Sequence, residues 1–175
     1  MISEDWEDKL AIREVIERYM RYNDDGALDR LVALFDEDAV LQVVGRVLRG
    51  HEEIRAFLEL DGVFADGKPQ WTDPDQLLVQ PRSMHLSANP VIDLDAKTAT
   101  AESEFVVLRR DEEGRARIAL VGRYRDRLRK NEEGRWVFVH RTGVSLARPG
   151  EAGTAGEWQR AIARMDEHER QKLRS

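Results

Sequence analysis

Ser83–Asp95, SMHLSANPVIDLD, alternates polar and apolar residues with a period of two, the pattern of a half-buried strand. Asp95-Ala96-Lys97 then reads as a turn, and TATAESEFVVLRR (Thr98–Arg110) as the returning strand. Two more strands are predicted over about 115–130 and 135–147, with Asp111–Gly114 and Asn131–Gly134 as the intervening turns. Four hairpin-linked strands make an antiparallel sheet. The only histidine of its first strand is His85.

Strand pairing sorts the side chains into two faces. A three-residue loop at Asp95–Lys97 sets His85 opposite Val107, Ser87 opposite Phe105 and Asn89 opposite Ser103. A four-residue loop at Asp111–Gly114 sets Val107 opposite Ile118, Phe105 opposite Leu120 and Ala101 opposite Tyr124. One face then carries His85, Ser87, Phe105, Val107, Ile118, Leu120, Gly122, Tyr124 and Asp126. It is mostly apolar with a few polar groups, as a ligand pocket wall is. The other face sets Glu102 against Arg123 and gathers Met84, Leu86, Val106, Leu108 and Val121. That apolar patch needs a cover, either a C-terminal helix or a second copy of the chain, and a homodimer is expected. The last strand has two registers. One turns Val137, Val139 and Arg141 inward, the other Trp136, Phe138 and His140.

Helical spacing of Ile12, Val15, Ile16 and Tyr19 predicts a first helix over about Ser3–Tyr22, broken at Asn23-Asp24-Asp25-Gly26. Leu28, Leu31, Val32 and Phe35 predict a short second helix, Ala39–Val44 a strand, Val47-Leu48 its return, and His51–Leu60 a third helix. Asp61–Gln80 is a long loop rich in Gly, Pro and Asp. It carries Phe64 and Trp71, which suit either a hydrophobic lid or simple loop anchors. Arg148-Pro149-Gly150 through Gly156 reads as a linker, and Glu157–Leu173 as a tail helix. The expected division is a domain over 1–148 and an appendage over 149–175.

Composition narrows the function. The chain has 175 residues, 41% hydrophobic and 35% charged, with a net charge of −6, which disfavours a nucleic-acid or anionic-membrane binder. No apolar run approaches the ~20 residues of a membrane helix. Without cysteine there is no disulfide or thiolate metal site, and the four scattered histidines have no ligand spacing, so no metal is expected. The acidic start MISEDWEDKL lacks a signal-peptide core, and a cytoplasmic protein is expected.

RYNDDGALDRLVALFDEDAVL and GHEEIRAFL resemble the N-terminal half of SnoaL-like proteins. HLSANPVIDLDAKTATAESEFVVL and GRYRDRLRKNEEGRWVFVHR resemble their C-terminal half. The resemblance spans roughly residues 8–147 and implies the nuclear-transport-factor-2-like fold. That fold is α+β and cone-shaped, with three N-terminal helices packed on a curved, mostly antiparallel sheet around a pocket. The superfamily includes polyketide cyclases, scytalone dehydratase, a lindane dehydrochlorinase, ketosteroid isomerases and limonene epoxide hydrolase. The dehydratase and dehydrochlorinase use a buried His–Asp pair, whose matching positions are His85 and Asp24. The dehydratase's tyrosine beside its aspartate is matched by Asn23, and its second pocket histidine has no counterpart in FVVLRR.

The resemblance implies a cofactor-independent dehydratase, isomerase or cyclase acting on a small apolar or aromatic molecule. His85 would be the base and Asp24 its orienting partner, with Tyr124, Asp126, Tyr19, Asn89, Phe105, Val107 and Trp71 around the substrate. Bland roles stand beside these: Asp24 as a helix terminator, His85 as a satisfied core residue, Asp126 as the ion-pair partner of Arg141. SEFVVLRR, ALVGRYRDRLRK and WVFVHRTGVSL also resemble the small β subunit of ring-hydroxylating dioxygenases. That likeness implies a non-catalytic assembly module with a larger, iron-carrying partner.

Overall fold

The structure, a computed structural model, describes residues 5–43, 46–60, 83–110 and 113–145. The chain forms helix α1 (Asp5–Asp24), helix α2 (Leu28–Val32), strands β1 (Phe35–Val43) and β2 (Arg46–Arg49), helix α3 (Gly50–Leu60), and strands β3 (Ser83–Asp95), β4 (Thr98–Arg110), β5 (Ala116–Lys130) and β6 (Trp136–Ser145). The fold is α+β, with the helices packed on one six-stranded mixed sheet of order β2-β1-β6-β5-β4-β3. All pairings are antiparallel except β1 with β6, which is parallel.

α1 buries one stripe, Ile12, Val15, Ile16, Tyr19, Met20 and Asn23, against the sheet, with Asp5, Glu7 and Asp8 at its dipole-positive first turn. It extends through Asp24, past the expected end at Tyr22, and Gly26 at φ 66° then reverses the chain. Phe35, expected in the second helix, instead opens β1. The carbonyl of its neighbour Leu34 accepts a hydrogen bond from the Phe138 backbone N–H at 2.9 Å, which seeds the parallel pairing.

The core lies between the helices and the inner sheet face. From β4 it takes Ala99, Ala101, Phe105 and Val107, and from β5 and β6 Tyr124, Leu128, Trp136 and Phe138. Two glycines shape that face. A Cβ at Gly122 would lie 2.3 Å from Phe105 Cζ, and one at Gly143 would lie 3.0 Å from Tyr124 Cε1. Each glycine therefore leaves space for the aromatic ring on the neighbouring strand.

Three registers depart from expectation. The β3–β4 turn has two residues, because Asp95 pairs with Thr98, and a bulge after Ala88 absorbs the extra residue. His85 consequently still faces Val107 and Ser87 still faces Phe105. Asn89, expected on the pocket face opposite Ser103, lies in that bulge at φ 51°. It donates to Glu104 Oε2 at 2.7 Å, and Glu104 belongs to the outer face. Between β4 and β5 the pairing is shifted by two residues, so Val107 opposes Leu120, Phe105 opposes Gly122 and Ser103 opposes Tyr124. A two-residue shift preserves the faces. A further irregularity after Val107 puts Ile118 opposite Leu108 and leaves it 67% exposed, on the outer side and not on the pocket face. On β6 a bulge after Phe138 combines both expected registers. Trp136 and Phe138 point inward before it, Arg141 and Gly143 after it, and His140 turns outward to Arg127. The long loop with Phe64 and Trp71 and the segment 149–175 lie outside the described residues.

Candidate active site

Asp24 is the last residue of α1 and His85 the third of β3. The fold brings them into contact where the helix end crosses the edge strand. Asp24 Oδ1 is 2.6 Å from His85 Nδ1, and its Oδ2 accepts from the His85 backbone N–H at 2.8 Å. Their side chains are only 11% and 14% exposed, so water competes weakly for either hydrogen bond. A carboxylate only accepts, so Nδ1 carries a proton, and in the neutral ring Nε2 is the nitrogen with the lone pair. Asn23, one residue earlier and buried, places its amide nitrogen 3.4 Å from both ring nitrogens. An atom equidistant from the two lies along neither lone pair, so Asn23 packs against the ring and leaves Nε2 as an acceptor.

An aromatic cluster lies on the inner sheet face beyond this dyad. Tyr19, one helical turn before Asn23, meets Phe35, Tyr124 and Phe138 edge-on with centroids 5.9, 5.9 and 6.1 Å away. Phe105 and Tyr124 lie 4.5 Å apart at 35°. Burial above all, with Tyr19 and Asp126 adding to it, raises the Tyr124 phenol above the ordinary tyrosine range. Tyr124 is therefore a neutral hydroxyl, suited to donating a hydrogen bond and not to taking a proton.

Beneath the aromatics Asp126 pairs with Arg141, Nε to Oδ1 at 3.3 Å, with both side chains fully buried. The guanidinium carbon sits 4.1, 3.9 and 4.4 Å from the ring centroids of Tyr19, Tyr124 and Phe138. Burial pushes the Asp126 carboxyl up to about 6, against the opposing pull of Arg141.

Of the site residues expected from sequence, Asp24 and His85 are in contact, Val107 is buried opposite His85, and Tyr19, Phe105 and Tyr124 share one cluster. Asp126 lies in the layer below, paired with Arg141. Asn89 is on the outer face, and Trp71 is outside the described residues. Arg141 and Phe138 are interior residues that pattern reading alone leaves undecided, because the β6 bulge changes the face between them. Among the described residues no group of three or more His, Cys, Asp and Glu side chains is placed to hold a metal, and no helix is long and apolar enough to cross a membrane.

Comparison with known proteins agrees with this fold. No curated protein sequence matches significantly. A nuclear-transport-factor-2-like protein with a cystatin-like fold from Novosphingobium aromaticivorans superposes with a TM-score of 0.67 at 27% identity, covering 84% of this chain and 87% of that one. A protein of unknown function from Mycobacterium tuberculosis gives 0.71 at 23% identity, covering 94% and 93%. A candidate scytalone dehydratase, also from N. aromaticivorans, shares the fold with a TM-score of 0.64 at 21% identity, covering 84% and 89%. The SnoaL-like domain matches residues 4–142, the span that carries both the dyad and the aromatic floor, and by that match the chain belongs to the SnoaL-like family.

Proposed function

We propose that the cone binds a small, mostly apolar or aromatic molecule and that His85 removes a proton from it, in an elimination, isomerisation or cyclisation that uses neither metal nor organic cofactor. The observation that carries this is the double contact of Asp24 with His85. One carboxylate fixes both the backbone and the tautomer of the ring, so Nε2 is a positioned base, a device that contributes about 10²–10⁴-fold to a proton transfer. Tyr124, held neutral, would donate to a substrate oxygen as charge develops there. The aromatic floor of Tyr19, Phe105 and Tyr124 supports a flat, apolar ligand body.

The test does not require the natural substrate. A panel of cyclic ketones and hydroxylated aromatics is incubated with the chain in deuterated water, and deuterium incorporation at carbon is followed by NMR. Exchange should depend on the protein and disappear in His85→Ala, whose melting temperature stays within a few degrees. Exchange at the natural rate in that variant would remove His85 from the chemistry.

A non-catalytic assembly role is the second reading, favoured by the outer sheet face. Met84 and Leu86 on β3 and Ile118 on β5, to either side of β4, are 51%, 48% and 67% exposed there, an unusual amount of bare apolar surface for one sheet face. Co-purification of a larger iron-carrying subunit, with no exchange activity, would select it.

A further inference from the structure

We infer that Arg141, Asp126 and Ser103 form a polar subsite at the inner end of the cone that holds the hydroxyl group of an aromatic ligand. This rests on the reading of the cone as a ligand pocket and adds a functional group that the ligand carries. The three residues are neighbours on the inner face. Asp126 pairs across the strands with both Ala101 and Arg141, and Ser103, two residues from Ala101, is diagonal to it. All three are buried. Their polar atoms are nonetheless unmet. Arg141 Nε and both terminal nitrogens, both Asp126 oxygens and Ser103 Oγ have no hydrogen-bond partner among the described residues. The 3.3 Å approach of Arg141 to Asp126 gives charge proximity without an aligned hydrogen bond.

Buried polar groups are almost always satisfied, and a charged one is the costliest to leave bare. The rings of Tyr19, Tyr124 and Phe138 stabilise the Arg141 charge but offer its N–H groups no acceptor. What is missing is therefore a group that accepts from Arg141 and donates to Asp126. A hydroxyl does both, whether a ligand's or a buried water's, and the probes below tell the two apart. A carboxylate would set a like charge against Asp126, and a hydrocarbon would leave every orphan unmet. The flat aromatic walls select a ring as the body that carries the hydroxyl. Along β5 the order Leu120, Gly122, Tyr124, Asp126 puts Tyr124 between this subsite and the layer of His85.

Phenol, anisole and toluene are the probes, titrated into the full chain by NMR. Phenol should bind about ten-fold more tightly than the other two, because a site built to bond a hydroxyl rejects analogues without one. It should also shift the Arg141 Nε–H resonance, which toluene leaves in place. The double variant Asp126→Leu/Arg141→Met removes both charges together, an exchange that buried ion pairs tolerate, and should bind phenol and toluene alike. Equal binding of the three probes to the natural chain, an unmoved Arg141 resonance, or a phenol preference that survives in the double variant would each overturn the subsite alone. Failure of every probe to bind would overturn the pocket reading together with it.

Discussion

Asp24 grips His85 at two points, the ring Nδ1 at 2.6 Å and the backbone N–H at 2.8 Å, and so ties the end of α1 to the edge strand β3. The two bonds separate structure from chemistry. Asp24→Asn retains an oxygen for the backbone N–H but presents an amide NH₂ to Nδ1. The ring proton should therefore move to Nε2, leaving no base on that nitrogen. Nitrogen-15 chemical shifts of His85 should report Nδ1–H in the natural chain and Nε2–H in the variant, with deuterium exchange down about 10²-fold or more. An unchanged tautomer would show that Asp24 does not set it.

The Phe105 ring occupies the space that a side chain at position 122 would need. In Gly122→Ala the new Cβ would meet Phe105 Cζ at 2.3 Å and the Val144 carbonyl oxygen at 2.4 Å. The ring can move, the carbonyl on β6 cannot without breaking the ladder. Overpacking of this kind should cost about 3 kcal/mol and lower the melting temperature by on the order of 10 °C. Phe105→Ala added to Gly122→Ala should recover only part of the loss, because the carbonyl clash remains. Gly134→Ala provides the contrast, with open space around it and only the strain of φ 78°, about 1 kcal/mol.

These two sites also show what sequence can and cannot reveal. Alternation along β3 and β4 is enough to face His85 toward Val107, although the turn is a residue shorter than its composition suggests. The shorter turn and the bulge cancel at His85, but Asn89 lies in the bulge itself, so alternation places one residue correctly and the other on the wrong face. Asp24 and His85 are 61 residues apart, and nothing local in the chain brings them together. Only their positions in the family pattern point to the contact. Arg141 is illegible for a further reason. A single-residue bulge after Phe138 has no compositional mark, yet it reverses every side chain beyond it.

We propose that the outer sheet face is the contact between two copies of the chain. Met84, Leu86, Ile118 and Val121 are exposed there beside charged rows in which Arg123 bridges Glu102 and Glu104, and Arg125 pairs with Glu102. A face with both acidic and basic rows can complement itself about a two-fold axis. Sedimentation velocity at micromolar concentration should show a dimer that becomes a folded monomer in Leu86→Glu/Val121→Lys. A monomeric natural chain would sink the proposal.

The Asp126 carboxyl gives stability a pH dependence opposite to that of most acids. Burial lifts it from 3.8 to about 6, so between those values the folded chain binds a proton that the unfolded chain has released. Stability from this group is present at the acid end and lost as pH rises through about 6, a change of about 3 kcal/mol for a shift of this size. Asp36 works the other way. Its hydrogen bond from Arg129 holds it below the ordinary range, so its contribution is present above about pH 4 and lost as pH falls. Asp126→Asn isolates the first effect. The natural chain should lose stability relative to this variant as pH goes from 4 to 6.5 in urea titrations, and the difference should then level off. A difference that stays constant over the interval would mean that Asp126 is ionised throughout and that Arg141 fully offsets its burial.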